Sequence, residues 1–369
     1  MADSRNSRRL WLHRPGLTVN DGWAKIMSMT KAMKVCYLHL GLHKTASSSF
    51  QQTCASNQET LNQAKLDYPI FRCDQSHPPR ININNHSVPL RSLYIEKPET
   101  YHINKRWKIA NINRANQDYK SQLERALQTD RSLVLSGEGL SLLPADALTR
   151  LIGLIEQYGF ELRPLILVRS PLDYAHSIAQ QLVRGGQYVS VVGLGSLRAP
   201  QLHQRLTIPD GLKEIRMLQQ VFQDRLIAVP FRRACRHPFG PVGYLLQEFC
   251  QVDAFGSITW KQTQESKSNL WVRLQNQVNQ RWPLFDQKKN LNSNHFQIKQ
   301  QYSDSGKFRL TRKEVMLLDH QIECSNEALA ALLGPDFIEA SDEVSAEITN
   351  DEILRLLADL SSQGQHSAS

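Results

Sequence analysis

Tyr37 to Gln51 reads YLHLGLHKTASSSFQ, and this stretch decides the fold. An apolar run closes on Gly41, and Lys44 is followed by Thr45, Ser47, Ser48 and Ser49. A buried strand ending at Leu40, a turn at Gly41 and a helix opening near Ala46 would aim backbone N–H groups and the positive end of a helix at one edge, which makes an anion site. Lys44 adds a mobile point charge and the hydroxyls add donors. Taken alone, the stretch also reads as a capped strand-to-helix turn with a surface lysine. An ATP- or GTP-binding P-loop needs G-x-x-x-x-G-K-[ST], whereas Gly41 stands three residues before Lys44 and position 43 is His43, so that fit is poor.

Outward from this stretch, KVCYLHL (34–40), SLVLS (132–136) and RPLILVR (163–169) read as buried strands, LDYPIF (66–71) as a weaker one and RLIAVPF (225–231) as the last. Helical patterns lie between them, from Ser47 to Asn57, through SQLERALQTD and through PADALTRLIGLIEQYG. The alternation predicts an α/β, three-layer fold, a central parallel sheet of about five strands flanked by helices, with a mainly helical and polar part after residue 250. Residues 72–114, rich in Asn, His, Arg and Pro, and 185–206, rich in Gly and Ser, interrupt the pattern, and long irregular insertions are expected to serve as lids or binding loops. Residues 1–33 read as a basic, disordered extension, with Met27, Met29 and Met33 as later candidate starts; 34–340 read as the main domain, and 341–369 as a C-terminal helix and disordered tail.

Of the 369 residues 41% are hydrophobic and 21% charged, as in ordinary globular proteins. No apolar run approaches the roughly 18 to 20 residues that span a bilayer. The opening MADSRNSRRLWLHRPG has arginines but no apolar core behind them, so it does not read as a secretory signal, and a cytoplasmic location is expected. A net charge of +9 favours anionic partners, and nucleic acid, an acidic glycan and a phosphorylated cofactor all fit it. Six cysteines, at 36, 54, 73, 235, 250 and 324, form no C-x-x-C pair, so the pattern suggests neither a zinc site nor a disulfide framework.

A second motif follows the fourth strand. LILVRSPLDYAHSIAQQLVRGG puts Arg169 at the sheet edge and Ser177 one to two turns into the next helix. A guanidinium fork with a hydroxyl eight residues on suits a terminal phosphate monoester. Two anion sites on one edge imply a ligand with two separated anionic groups.

The pair of motifs resembles the sulfotransferases that use 3′-phosphoadenosine 5′-phosphosulfate (PAPS). Their 5′-phosphosulfate loop, K-[ST]-G-[ST]-[ST] after a strand, is matched by Lys44, Thr45, Ala46, Ser47 and Ser48, with Ala46 in place of the glycine. Their 3′-phosphate motif is matched by Arg169, Pro171, Asp173 and Ser177, while Gln181, Arg184 and Gly185 resemble bacterial carbohydrate-type members, in which a substrate loop follows. The likeness covers roughly residues 34–250. It implies a P-loop NTPase-like sulfotransferase fold, PAPS as cofactor with no metal, and a hydroxylated, carbohydrate-like acceptor, anionic glycans included, rather than nucleic acid.

Sulfuryl transfer requires that charge on the leaving phosphate be neutralised and that a proton be taken from the acceptor. Lys44 suits the first task, with Thr45, Ser47 and Ser48 binding oxygens. Glu138 in SLVLSGEGLSLLP, helped by its neighbour Ser136, is the preferred base, followed by His43 and then by His86, which is assigned to the lid. Arg184 and His86 are the substrate candidates, and His39 reads as a packing residue. A methyl group at Ala46 is compatible with the loop where φ and ψ are helical. Two alternatives stay open: a nucleotide-dependent kinase, which would bring a full Walker loop and magnesium ligands, and a catalytically weak anion-binding protein of the same fold.

Overall fold

The computed structural model describes residues 34–42, 44–202, 211–253, 255–262, 266–285, 291–298, 306–338 and 344–355. Its strands are β1 (Lys34–Leu40), β2 (Leu66–Asp67), β3 (Phe71–Cys73), β4 (Ile81–Ile83), β5 (Ser132–Gly137), β6 (Phe160–Val168) and β7 (Ile227–Pro230). Five of them form one sheet in the order β2-β5-β1-β6-β7, with every neighbouring pair parallel, and β3 and β4 pair antiparallel by themselves. The helices of eight residues or more are α1 (Ser47–Ser56), α2 (Ser87–Tyr94), α3 (Ile112–Leu127), α4 (Ala145–Gln157), α5 (Pro171–Arg184), α6 (Leu212–Phe222), α7 (Asn269–Arg281) and α8 (Asp319–Leu333).

The apolar strands bury both faces, because side chains alternate along each strand. Val35 and Tyr37 of β1 share one face with Val134, Leu165 and Leu167 and pack under Phe50 and Cys54 of α1. Cys36, Leu38 and Leu40 face the other way, toward Leu90 of α2, Leu123 of α3, Leu151 of α4 and Leu218 of α6. Burying each such leucine contributes about 2 kcal/mol. The expected α/β layering with a five-stranded parallel sheet is what the chain builds.

Two expectations need correction. The stretch 66–71 is not one strand: β2 ends at Asp67 and Phe71 opens the separate β3–β4 hairpin, since Pro69 lacks the N–H that a continued ladder needs. Residues 72–114 are not an irregular lid. They contain β4, α2 and the start of α3, and Cys73, Ile83, Val88 and Leu90 join the core of the sheet. Residues 185–202 are irregular as expected apart from a short turn at Gly195–Leu197, and they are packed, with Val189, Val191 and Val192 buried against Trp271 and Val272 of α7.

The polar C-terminal part has a buried organising centre. Asn269, Arg273, Gln275, Asn276 and Asn279 of α7 are all buried. Asn276 Nδ2 donates to Val189 O and Val192 O, each at 2.9 Å, and Asn279 Nδ2 donates to Val183 O at 2.7 Å and Gln187 O at 2.9 Å. Arg273 pairs with the buried carboxylate of Glu314 through both of its Nη atoms. No helix among the described residues is long and apolar enough to cross a membrane. Residues 1–33 and 356–369, and with them the expected extension and disordered tail, lie outside the described residues.

Candidate functional site

The chain leaves β1 toward β2 at one edge of the sheet and leaves β6 toward β7 at the other. The carboxyl ends of neighbouring β1 and β6 therefore flank a switch point, where ligands bind in open parallel sheets. The Lys44 loop follows one of these strands and Arg169 the other.

The loop after β1 is held against the loop after β5. Gly41 N donates to Gly137 O at 3.1 Å, and the Ser141 hydroxyl reaches Gly41 O at 3.1 Å and Glu138 O at 3.2 Å. Gly41 leaves no room for a side chain, since a Cβ would fall 2.3 Å from Ser47 Oγ and 3.0 Å from Glu138 Cα. Beyond it, Lys44 (φ 65°) and Ala46 (φ 63°) are both left-handed. Alternating hands turn successive N–H groups into one concavity, an anion-binding nest. Ala46 is also the N-cap of α1 and its methyl group supplies no side-chain cap. The condition of a helical φ at Ala46 is thus not met: the methyl group sits where glycine is at ease, at a strain cost of about 1 kcal/mol.

The hydroxyls of this loop differ in use. Thr45 is buried and its Oγ1 donates to Leu42 O at 2.7 Å, bracing the turn. Ser47 Oγ is buried with no hydrogen-bond partner among the described residues.

Across the switch point, Pro171 opens α5 and Ser170 caps it. The Arg169 guanidinium lies over the Phe231 ring, 4.4 Å from its centroid, and Nη1 donates to Asp173 O at 3.2 Å. Arg169 Nε is buried without a partner. The Asp173 carboxylate is engaged by Arg232, at 2.9 and 3.4 Å. Burial works against the charge of Arg169, so an anion brought to it would satisfy both its charge and its spare donor.

These parts enclose one cleft of about 590 Å³. Lys44, Thr45, Ala46, Ser47, Ser48, Ser49, Glu138, Arg169, Ser177 and Gln181, all singled out by sequence, line it together. The far wall was missed: Phe231, Phe239, Pro241, Trp260, Lys261 and Gln262. Phe239 and Trp260 stack with centroids 5.0 Å apart and planes 9° from parallel. Helix α1 holds this wall. Asn57 exchanges hydrogen bonds with Thr259 at 2.8 and 2.9 Å, and Thr53 Oγ1 accepts from Lys261 N at 3.1 Å. No local signal in the sequence marks these contacts, which span about 200 residues.

The Lys44 amine is depressed by burial and then by the Arg169 and Arg184 cations, with Glu138 opposing. Lys44, Arg169, Arg184 and Glu138 therefore share one electrostatic neighbourhood, although Arg184 is exposed and does not line the cleft.

The histidines separate clearly. His43 lies outside the described residues. His86 is not a lid residue: it is fully buried, its Nδ1 accepts from Ser136 N at 2.9 Å and its Nε2 meets Pro69 O at 2.7 Å. With both ring nitrogens engaged and its pKa lowered by burial to about 4, His86 is a neutral structural tie. His39 is buried beside it, Nδ1 on Ser136 Oγ at 2.9 Å, with burial lowering its pKa to about 4. Ser136 therefore serves His39 and the sheet rather than orienting Glu138 through its hydroxyl. No described residue of either interrupting segment lines the cleft. No family model, curated protein or solved structure matches this chain.

Proposed function

We propose that this chain is a PAPS-dependent sulfotransferase of the P-loop-like α/β type. The observation that carries the reading is the pairing, within one cleft, of the left-handed Lys44–Ala46 loop at the start of α1 with the half-satisfied Arg169 on the neighbouring strand end. A nucleotide with anionic groups at both ends matches two anion sites of different construction. The residues present suit such a group: the nest and Ser47 receive the 5′-phosphosulfate, and Arg169 with Ser177 receives the 3′-phosphate. The aromatic pair Phe239 and Trp260 offers a flat surface for the base.

When bound, PAPS supplies the sulfuryl group and a phosphate leaving group. The part of this chain is electrostatic and positional. Lys44, drawn down from its ordinary range by burial, would meet the charge that grows on the leaving phosphate. Glu138, fixed through the Gly41, Gly137 and Ser141 contacts, takes the proton from the acceptor hydroxyl. A nucleotide-dependent kinase is the weaker reading, because the loop lacks the second glycine of a Walker motif.

The test is thermal stabilisation by 3′,5′-adenosine bisphosphate against ATP with magnesium. A ligand at 100 times its Kd adds about 2.7 kcal/mol, and the bisphosphate should do so where ATP does not. Lys44→Ala should then lower the rate of transfer from labelled PAPS by about 10² or more with a normal melting curve. Stabilisation by ATP alone, or normal turnover in Lys44→Ala, would sink the assignment.

A further inference from the structure

Residues 72–114 hold eight Lys or Arg against three Asp or Glu, a net +5 of the chain's +9 in 43 residues. Arg72 pairs with Asp74, and no other ion pair of this segment is found among the described residues. Lys105, Arg106 and Lys108 are exposed on one short turn. His102 links this turn to Arg91: its ring meets the Tyr101 ring edge-on with centroids 5.0 Å apart, and after burial Arg91 and Arg106 both hold it below its ordinary pKa. Arg91 in turn leads to the cleft. Its guanidinium lies 5.1 Å from the centroid of the Tyr101 ring, its Nε is buried without a partner, and a Cβ on Gly139 would meet its Cδ at 2.9 Å. A cationic stripe therefore runs from the turn at 102–108 to the residue after Glu138. Uncompensated like charges repel one another at a cost, so their concentration beside the cleft favours a polyanionic occupant.

We propose that this segment is a docking face for an anionic glycan, which it feeds past Arg91 toward Glu138. Docking stands on the charge geometry alone; that the glycan is the sulfuryl acceptor rests on the function proposed above. A glycan fits better than a nucleic acid, because the segment's large aromatic side chains, Tyr94, Tyr101 and Trp107, pack into the protein and leave no exposed Trp, Tyr or Phe ring on which bases would stack.

The test measures binding of a fluorescent heparin-derived decasaccharide to the full chain over a range of salt concentrations, beside a ten-nucleotide single-stranded DNA. Lys105→Glu with Arg106→Glu should weaken decasaccharide binding at least tenfold and flatten the salt dependence by about two ions. A matched reversal elsewhere, Arg281→Glu with Arg312→Glu, should change affinity less than twofold. Equal losses in the two double variants, or none in the first, would overturn the docking face, and tighter binding of the DNA would make the partner a nucleic acid. Stabilisation by 3′,5′-adenosine bisphosphate should be the same in all three proteins. Its absence from all of them would remove the nucleotide reading and leave the docking result standing.

Discussion

All five N–H donors of Arg273 find an acceptor, on Asn269, Gly193, Arg309 and both oxygens of Glu314, whereas across the molecule the buried Nε of Arg169 finds none. Glu314 is equally saturated, accepting also from Gly193 N at 2.7 Å and Thr311 N at 2.8 Å. Ser47, like Arg169, keeps a buried polar atom idle. A buried polar group costs about 1 to 3 kcal/mol when unpaired, so a chain that saturates one such cluster and leaves another open has two different uses for them. The saturated cluster ties strand-poor segments together. The open one lines the cleft, where the proposed nucleotide would complete it.

The contrast should break first in stability. Glu314→Ala strands a buried guanidinium and should cost about 3 to 5 kcal/mol in urea unfolding, with bisphosphate affinity unchanged in the folded fraction. A loss below about 1 kcal/mol would mean that the pair adds nothing to the fold. Glu138→Gln should do the reverse, holding stability and nucleotide affinity while lowering turnover by about 10² to 10⁴ and abolishing the acidic limb of the pH–rate profile. Normal turnover would move the base to His43 or to solvent.

Acid should act next on the buried histidines beside Ser136. His39 and His86 have folded pKa values of about 4 against 6.5 when unperturbed, so the unfolded state binds more protons in that window. Their contribution is complete above pH 6.5 and is lost as pH falls toward 4, at up to about 1.4 kcal/mol per pH unit for each ring. A flat stability between pH 6.5 and 5 would contradict their burial as neutral rings. Arg169→Ala should cost about 1.5 to 3 kcal/mol of bisphosphate binding and much less for 5′-AMP, by calorimetry. The smallest effect belongs to Ala46→Gly, which relieves a left-handed alanine and should stabilise the protein by about 1 kcal/mol, measured by the denaturation midpoint. Destabilisation would show that the methyl's contact with the core outweighs its strain.

Much of the cleft could be read along the chain. The Lys44 loop and the Arg169 and Ser177 pair were legible because each follows a strand whose apolar run is unmistakable, and parallel strands present their carboxyl ends together. The opposite wall was not legible, since Thr259 and Lys261 are tied to Asn57, the C-cap of α1, and to Thr53 within it, about 200 residues away in sequence. His86 was misread for a related reason: an Asn-rich, Pro-rich neighbourhood looks solvated, yet the backbone of Ser136 claims the ring.

By itself, then, the sequence determined the strand and helix alternation, the face each strand residue takes and the charge gathered at 72–114, because all of these depend on periodicity and composition within a few tens of residues. Only the tertiary structure decided which polar residues are buried tools and which are surface. Asn276 looks like any solvated helix residue until Val189 and Val192 stand opposite it. Ala46 reads like any residue opening a helix, yet in the folded loop its φ is positive. Hydrogen bonding and backbone hand are settled by partners distant in sequence, which no local pattern encodes.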